Sequence, residues 1–339
     1  MTSSLPDSAE VLTAGHNLTS LQTYLLAEEQ KHPYATGNFT MVLSALSLAS
    51  KFISARCRRA RLEDVLGSMA AENVQGEEQQ KLDVIANEAL VRSLGSRPGV
   101  AIIASEEDEE PIVLRRDTSG ERPYVVLFDP LDGSSNLDVC GSVGTIFSIL
   151  QHDRRLGNVE ESALQPGMSQ VAAGYVLYGP STVLVVTTGS GVQMFVLDPA
   201  IGSFLLVDGD VRIPETGKSY SMNTANLPKT DEPYRKYVDW ANEEGYSMRY
   251  AGAMVADVHR ILMKGGVFLY PPTKSAATGK LRLMYEANPM AMLVEQAGGK
   301  AYSGLTRTME IPPTAIHQRV PVILGSAGEV DHVLRFLAE

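Results

Sequence analysis

The chain has 339 residues, 44% of them apolar and 20% charged, an ordinary balance for a globular protein with a large core and a length that allows two domains. Its net charge is −11 and its pI near 5.1, and the only basic block is Arg56, Arg58, Arg59 and Arg61. That argues against nucleic acid or an anionic membrane as the main partner, so an anionic ligand has to be captured by local cations or by metal.

Cys57 and Cys140 are too few for a disulfide framework and imply a reducing compartment. The start is polar and acidic, unlike a secretory leader, and no apolar run approaches transmembrane length. The end, Phe336-Leu337-Ala338-Glu339, is not a peroxisomal signal. The expected setting is the cytoplasm, with a peroxisome-like organelle as the alternative if a C-terminal signal has been trimmed.

In chain order, the first clear pattern predicts a helix over 40–60, with Met41, Val42, Leu43, Leu46, Leu48, Ala49, Phe52 and Ile53 on its apolar positions. Residues 34–38 read as a turn that leaves N–H groups open at its start. The small, acidic stretch 63–78 reads as a mobile loop, and 79–94 returns to helical period. A strand over 99–104 runs into Glu106, Glu107, Asp108, Glu109 and Glu110, and a second over 124–128 ends in Asp129-Pro130-Leu131-Asp132-Gly133-Ser134-Ser135-Asn136. Apolar runs over 145–150, 171–177, 183–187, 192–197 and 204–207 predict a largely antiparallel sheet. Helices follow over 232–244, 254–263 and 288–297, the last with Asn288 as N-cap and Pro289 at N1, and 266–270 reads as a strand. The class is α/β or α+β with a large mixed sheet and a boundary near 200–212.

Two strands that end in carboxylates suggest a site, because ligands in open α/β sheets bind beyond the carboxyl ends of strands. Asp129 and Asp132 are hard oxygen ligands suited to Mg²⁺, and the Gly-Ser-Ser turn can offer N–H groups to a phosphate. Alternatives stand beside each reading. Asp-Pro-Leu-Asp-Gly also suits a plain turn, Glu106–Glu110 a solvated charge run, and Glu286 simple compensation of a helix dipole. Lys280, Arg282, Arg249, Tyr250, Tyr270 and Asn223 suit an anionic sugar, or else a surface. His259 reads as a satisfied core histidine and Cys140 as a small buried hydrophobe. No Walker loop, Rossmann fingerprint, zinc spacing or serine triad appears.

Together, Ser105-Glu106-Glu107-Asp108, the Asp129–Asn136 stretch and Lys280-Leu281-Arg282-Leu283-Met284-Tyr285-Glu286-Ala287-Asn288-Pro289-Met290 closely resemble class I fructose-1,6-bisphosphatases. The likeness extends over about residues 20–337, through Ala172-Ala173-Gly174-Tyr175 and Met254-Val255-Ala256-Asp257-Val258-His259-Arg260. The resemblance implies an α/β (α+β layered) sugar-phosphatase fold, an αβαβα sandwich with sub-domains over 12–207 (metal and AMP sites) and 208–337 (sugar phosphate). It implies a phosphoric monoester hydrolase that releases the 1-phosphate of D-fructose 1,6-bisphosphate in gluconeogenesis, a homotetramer, and two or more Mg²⁺ per subunit with Mn²⁺ as a substitute. It implies metal ligands at Glu77, Glu106, Asp129, Leu131 (by its carbonyl), Asp132 and Glu286, with Glu77, Asp83, Glu106 and Glu107 preparing the attacking water. Asp132, Gly133, Ser134 and Ser135 then cradle the 1-phosphate. Asn223, Tyr250, Tyr270 and Lys280 contact the sugar and 6-phosphate, and Arg249 reaches in from a neighbouring subunit. Inhibitory AMP is expected at Thr36, Gly37, Asn38, Phe39, Thr40 and Tyr124.

The chain departs from that pattern at Glu77 (usually Asp), Asn226 (usually Tyr), Asn38 (usually an acid), and Pro123 and Gln151 (usually basic), so weakened or rearranged AMP contacts are expected. Inositol-type phosphatases usually carry Thr where this chain has Ser134, and a Trp-Asp motif that Trp240 does not match. Redox-regulated plastid forms carry further cysteines. An inactive nucleotide or metal sensor is opposed by the acids at every matched metal position.

Overall fold

The computed structural model describes residues 18–30, 37–63, 65–72, 78–115, 123–153 and 160–339. Helices are α1 (Leu21–Gln30), α2 (Asn38–Arg59), α3 (Lys81–Gly95), α4 (Glu232–Glu243), α5 (Met254–Lys264), α6 (Asn288–Gln296) and α7 (Ala327–Ala338). Strands β1 (Ser68–Glu72) and β2 (Glu78–Gln80) pair as an antiparallel ribbon where a loop is expected from composition. Next come β3 (Val100–Ser105), β4 (Ile112–Val113), β5 (Tyr124–Asp132), β6 (Val143–Gln151), β7 (Gln170–Tyr178), β8 (Thr182–Thr187), β9 (Val192–Asp198) and β10 (Ser203–Asp208). They form an eight-stranded sheet in the order β10-β9-β8-β7-β6-β5-β3-β4, in which only β3 and β5 run parallel.

The remaining strands are β11 (Ser219–Ser221), β12 (Ser247–Met248), β13 (Val267–Tyr270), β14 (Leu281–Arg282), β15 (Lys300–Ser303), β16 (Thr306–Arg307), β17 (Arg319–Val320) and β18 (Val322–Gly325). A six-stranded sheet orders them β12-β11-β13-β18-β15-β16, and β14 pairs separately with β17.

Alternation along the strands builds the layers. On β5, Val126 and Phe128 join one apolar cluster with α2 and α3, whereas Val125 and Leu127 join another with α5 and α6. On β13, Phe268 faces that second cluster, while Val267 and Leu269 join Tyr234, Tyr237, Val330 and Val333 of α4 and α7. The result is an αβαβα sandwich with α5 and α6 as the middle helical layer. Strands buried on both faces carry near-continuous apolar runs, as 124–128 does. On α3, Leu82, Ala86, Leu90 and Leu94 form the buried stripe, and Leu90→Ala is expected to cost about 3 kcal/mol.

Three expectations need correction. By length and composition α2 is apolar enough to cross a membrane, at a mean hydropathy of 1.2, although half of that window is buried inside the fold. Asn288 is not the N-cap of α6: a π-helical turn, Leu283–Ala287, precedes it, so Asn288 already lies in the helix. Cys140 is exposed rather than buried. It ends a 3₁₀ turn in the left-handed region (φ 58), its N–H reaching the carbonyls of Asn136 and Leu137, a geometry that leaves its side chain outside the core.

Candidate active site

Because β3 and β5 are parallel neighbours, their carboxyl ends leave the sheet at one edge. Glu106 continues the ladder, its N–H donating to the Phe128 carbonyl at 3.0 Å, and Glu107 follows with its N–H on Ser105 Oγ at 3.2 Å. Asp129 and Asp132 stand three positions apart, a spacing that points to opposite faces on a regular strand. The register prevents that outcome. Asp129 pairs with Ile146 but Asp132 with Gly144, so a bulge inserts one extra residue on β5 and restores the parity. Thr145 holds the bulge by donating to the Pro130 carbonyl at 2.8 Å, and the Leu131 N–H donates to Asp129 Oδ1 at 2.9 Å.

Glu286 arrives from the π-helical turn, its Oε2 accepting the Arg282 N–H at 2.6 Å. Asp129, Asp132 and Glu286 are all buried, and each offers an oxygen within 4.8 Å of the others. At an effective dielectric of about 20, three such repulsions cost about 3 kcal/mol each. Arg282 stands 3.8 Å from Glu286 and pairs with Glu106, an attraction of about 4 kcal/mol per close contact that leaves the acids undercompensated. The strain appears in their protonation. Burial, then Glu106, Asp132 and Glu286, push Asp129 well above the usual carboxylate range. Burial and Glu286 push Asp132 up to about 7, against the opposing N–H donors of Val255 and Met254. Buried carboxylates in this arrangement fit a hard divalent cation.

Next to the acids the chain turns sharply. Gly133 adopts φ 74, and a Cβ there would lie 2.3 Å from that of Ala253, so only glycine fits. The 3₁₀ turn Ser134–Val139 then begins with no side chain capping its first N–H groups. One cavity of about 520 Å³ gathers Asp83, Glu106, Glu107, Asp129, Leu131, Asp132, Gly133, Ser134, Ser135, Glu286, Asn223, Tyr250, Tyr270 and Lys280. Asp83 is held by a capping box with Gln80, whose N–H donates to it at 2.9 Å. Burial, then Tyr270, Asp257 and Asp132, raise Tyr250 to about 12, so its hydroxyl stays protonated as a donor.

Glu77 lies outside the described residues, as does Thr36. Arg249 is exposed and does not line this cavity; its guanidinium donates to the Met248 carbonyl at 3.0 Å. At the other proposed site, Gly37 (φ 75) precedes α2 without a side-chain cap. Thr40 Oγ1 donates to Glu29 at 2.8 Å, and Phe39 packs edge-on to Tyr124 with ring centroids 5.8 Å apart. Asn38 lies against Gly99, where a Cβ would come within 2.7 Å of its own. Sequence reasoning placed Arg282 among the cations for an anionic sugar, not with the acids Glu106 and Glu286 that it pairs with, and passed over Asp257 as a site residue. Arg282 carried a signal, its four-residue spacing from Glu286; Asp257 carried none.

Cation-demanding acids beside an anion-accepting turn are what metal-assisted phosphate ester hydrolysis requires, and the layered frame belongs with that class of phosphatase. The sequence matches the description "Fructose-1-6-bisphosphatase, N-terminal domain" over residues 19–209 and "Fructose-1-6-bisphosphatase, C-terminal domain" over 213–338. The chain therefore belongs to the fructose-1,6-bisphosphatase family. It is 50% identical over 319 residues to a fructose-1,6-bisphosphatase class 1 of Persephonella marina, covering 94% of this chain and 98% of that one. The crystal structure of Leishmania major fructose-1,6-bisphosphatase in holo form is similar at a TM-score of 0.89 and 41% identity, covering 95% of this chain and 99% of that one. Its apo and T-state forms are similar at 0.84, with 39% and 38% identity and the same coverage.

Proposed function

We propose that this chain hydrolyses D-fructose 1,6-bisphosphate to fructose 6-phosphate and phosphate in gluconeogenesis, as a metal-dependent phosphoric monoester hydrolase. One observation carries the reading: a single cavity is lined both by the Asp129, Asp132 and Glu286 carboxylates and by Lys280, Tyr250, Tyr270 and Asn223. Asp129, Asp132 and Glu286, with Glu106 and the Leu131 carbonyl, would hold Mg²⁺, with Mn²⁺ as a substitute and two or more ions per subunit. When bound, the metal supplies positive charge at the transferring phosphoryl group and acidifies water. Gly133, Ser134 and Ser135 hold the 1-phosphate with N–H and hydroxyl donors. Glu107, Asp83, Glu106 and Glu77 prepare the attacking water. One carboxylate of the set takes a proton from it as its oxygen bonds to phosphorus, the bond to the sugar oxygen breaks, and that oxygen leaves as a hydroxyl by taking a proton from water. Lys280, Tyr250, Tyr270 and Asn223 hold the sugar and 6-phosphate.

Further parts of the reading are the sub-domains 12–207 and 208–337, a cytoplasmic setting, and a homotetramer in which Arg249 serves a neighbour's cavity. Arg249's exposure supports the last point, as do the exposed Met41, Leu48 and Phe52 on one face of α2. AMP binding at Gly37–Thr40 and Tyr124, with Thr36, is proposed with weakened contacts. The decisive experiment is phosphate release from fructose 1,6-bisphosphate, with and without Mg²⁺, beside inositol 1-phosphate. Metal-dependent release from the first alone is expected; comparable rates on both overturn the assignment.

A further inference from the structure

Asp257 has no role in the reaction as described, yet it lines the same cavity and is only 3% exposed. It lies in the first turn of α5, whose N-cap Ala253 has no side-chain capping bond. Its carboxylate turns back over the segment that leads into the helix. Oδ1 accepts the Ala251 N–H at 2.8 Å and Oδ2 the Gly252 N–H at 3.2 Å. From the opposite side, Asn136 Nδ2 donates to the Ala251 carbonyl at 3.1 Å. Just beyond, the Val255 N–H donates to Asp132 Oδ2 at 2.7 Å, so an acid of the metal site caps α5 in place of its own N-cap. The residues closed off by these bonds, 249–252, are all exposed and carry Tyr250.

A buried carboxylate that accepts two N–H groups from one turn is a strong, charge-assisted clamp. Burying that charge is costly, and the turn it holds is exposed, with Gly252 at φ 80. The clamp makes sense where the geometry of what the turn carries matters. We propose that Asp257 is a positioning residue for substrate: it fixes the turn over 249–252 so that Tyr250 meets the sugar phosphate in one geometry, without entering the chemical step. The inference rests on the cavity's being the sugar-bisphosphate site. A turn already ordered loses no conformational freedom when substrate arrives, so the benefit falls on affinity. The acids that hold metal keep their own supports, so the chemical step is spared.

Steady-state kinetics with fructose 1,6-bisphosphate test the idea. In Asp257→Asn, KM is expected to rise about tenfold, with kcat within about twofold and the Mg²⁺ half-saturation unmoved. Tyr250→Phe, which raises KM on its own, adds far less on top of Asp257→Asn, because both act through one contact. Should Asp257→Asn fail to fold, Gly252→Ala strains the same turn from its exposed side. The added Cβ there meets only Tyr250, at 3.8 Å, and KM is again expected to rise at constant kcat. A fall in kcat at unchanged KM, fully additive effects, or an unmoved KM in the folded variants overturns the inference and leaves the proposed function standing. Absence of turnover in the unsubstituted protein overturns the proposed function itself, and the inference with it.

Discussion

Arg282 forms a buried ion pair with Glu106 while its guanidinium also stands 3.8 Å from Glu286. The chain thus brings its own cation to the acid cluster, 176 positions away in sequence from one partner and four from the other. Removing one member of a buried pair costs about 3–5 kcal/mol, because the other charge is left uncompensated. Arg282→Met should therefore lower the thermal midpoint of the metal-free protein sharply. Mg²⁺ should raise that midpoint more in the variant than in the unsubstituted protein, since it replaces a missing positive charge. Calorimetry of both proteins with and without Mg²⁺ decides; equal metal-induced shifts would mean that Arg282 does not serve the cluster.

Asp129 is the acid most crowded by others, with Glu106, Asp132 and Glu286 all opposing its charge. Asp129→Asn keeps the shape and the oxygen that accepts the Leu131 N–H, but removes one repelling charge. Turnover with Mg²⁺ should fall by about 10³-fold or more, on the scale of several kcal/mol of lost charge stabilisation. Stability without metal should hold or rise. A variant that unfolds, or one that retains turnover, removes Asp129 from the role given to it.

How much of this was legible in the sequence follows from the range of the forces involved. The run over 124–128 declared itself because burial on both faces leaves no polar alternation. The antiparallel runs over 145–150, 171–177 and 183–187 did so for the same reason, whereas 192–197 and 204–207 are only partly buried. Short strands such as β11 and β15 hold too few residues to carry a period, and α7 buries too few of its side chains to stand out. In the site, residue types were readable and their convergence was not. Only a bulge set by pairing with β6 turns Asp129 and Asp132 to the same side. The exposure of Cys140 likewise depends on how one turn ends, which composition does not record.

Asp132 gives the site a pH signature. Its folded-state pKa is raised from 3.8 to about 7, so the metal-free fold holds this proton more tightly than the unfolded chain does. The associated stability is complete below about pH 4 and is lost as pH rises through about 7. Bound Mg²⁺ needs the ionised form. The metal-induced rise in thermal midpoint should therefore be larger at pH 8 than at pH 5, and binding at pH 6 should release protons into the buffer. Calorimetric titration in two buffers of different ionisation enthalpy measures that release directly, and a proton-neutral result contradicts the prediction.

At the proposed AMP site, Gln151 donates through Nε2 to the Pro123 carbonyl at 2.8 Å, so two positions that lack basic residues lie together beside Tyr124. A charge-assisted bond to phosphate contributes about 1.5–3 kcal/mol. The double substitution Pro123→Lys with Gln151→Arg should therefore lower the AMP concentration for half-inhibition about tenfold or more. Inhibition curves for the two proteins settle the matter. If saturating AMP inhibits neither, the site has no such function.

His259 offers a pH test away from the metal site. It shares a 2.8 Å hydrogen bond with Tyr175 across the contact between α5 and β7, and burial holds its pKa below the usual 6.5. The fold therefore binds this proton less readily than the unfolded chain. The neutral ring's contribution is complete above about pH 6.5 and is lost as pH falls below it. His259→Phe should flatten the decline in stability between pH 7 and pH 5, even if it weakens the protein at pH 7. Tyr175→Phe should cost about 1 kcal/mol at pH 7 through the lost bond, leaving turnover within about twofold. Denaturant unfolding at a series of pH values separates the two effects, and an unchanged slope in His259→Phe would assign the acid sensitivity elsewhere.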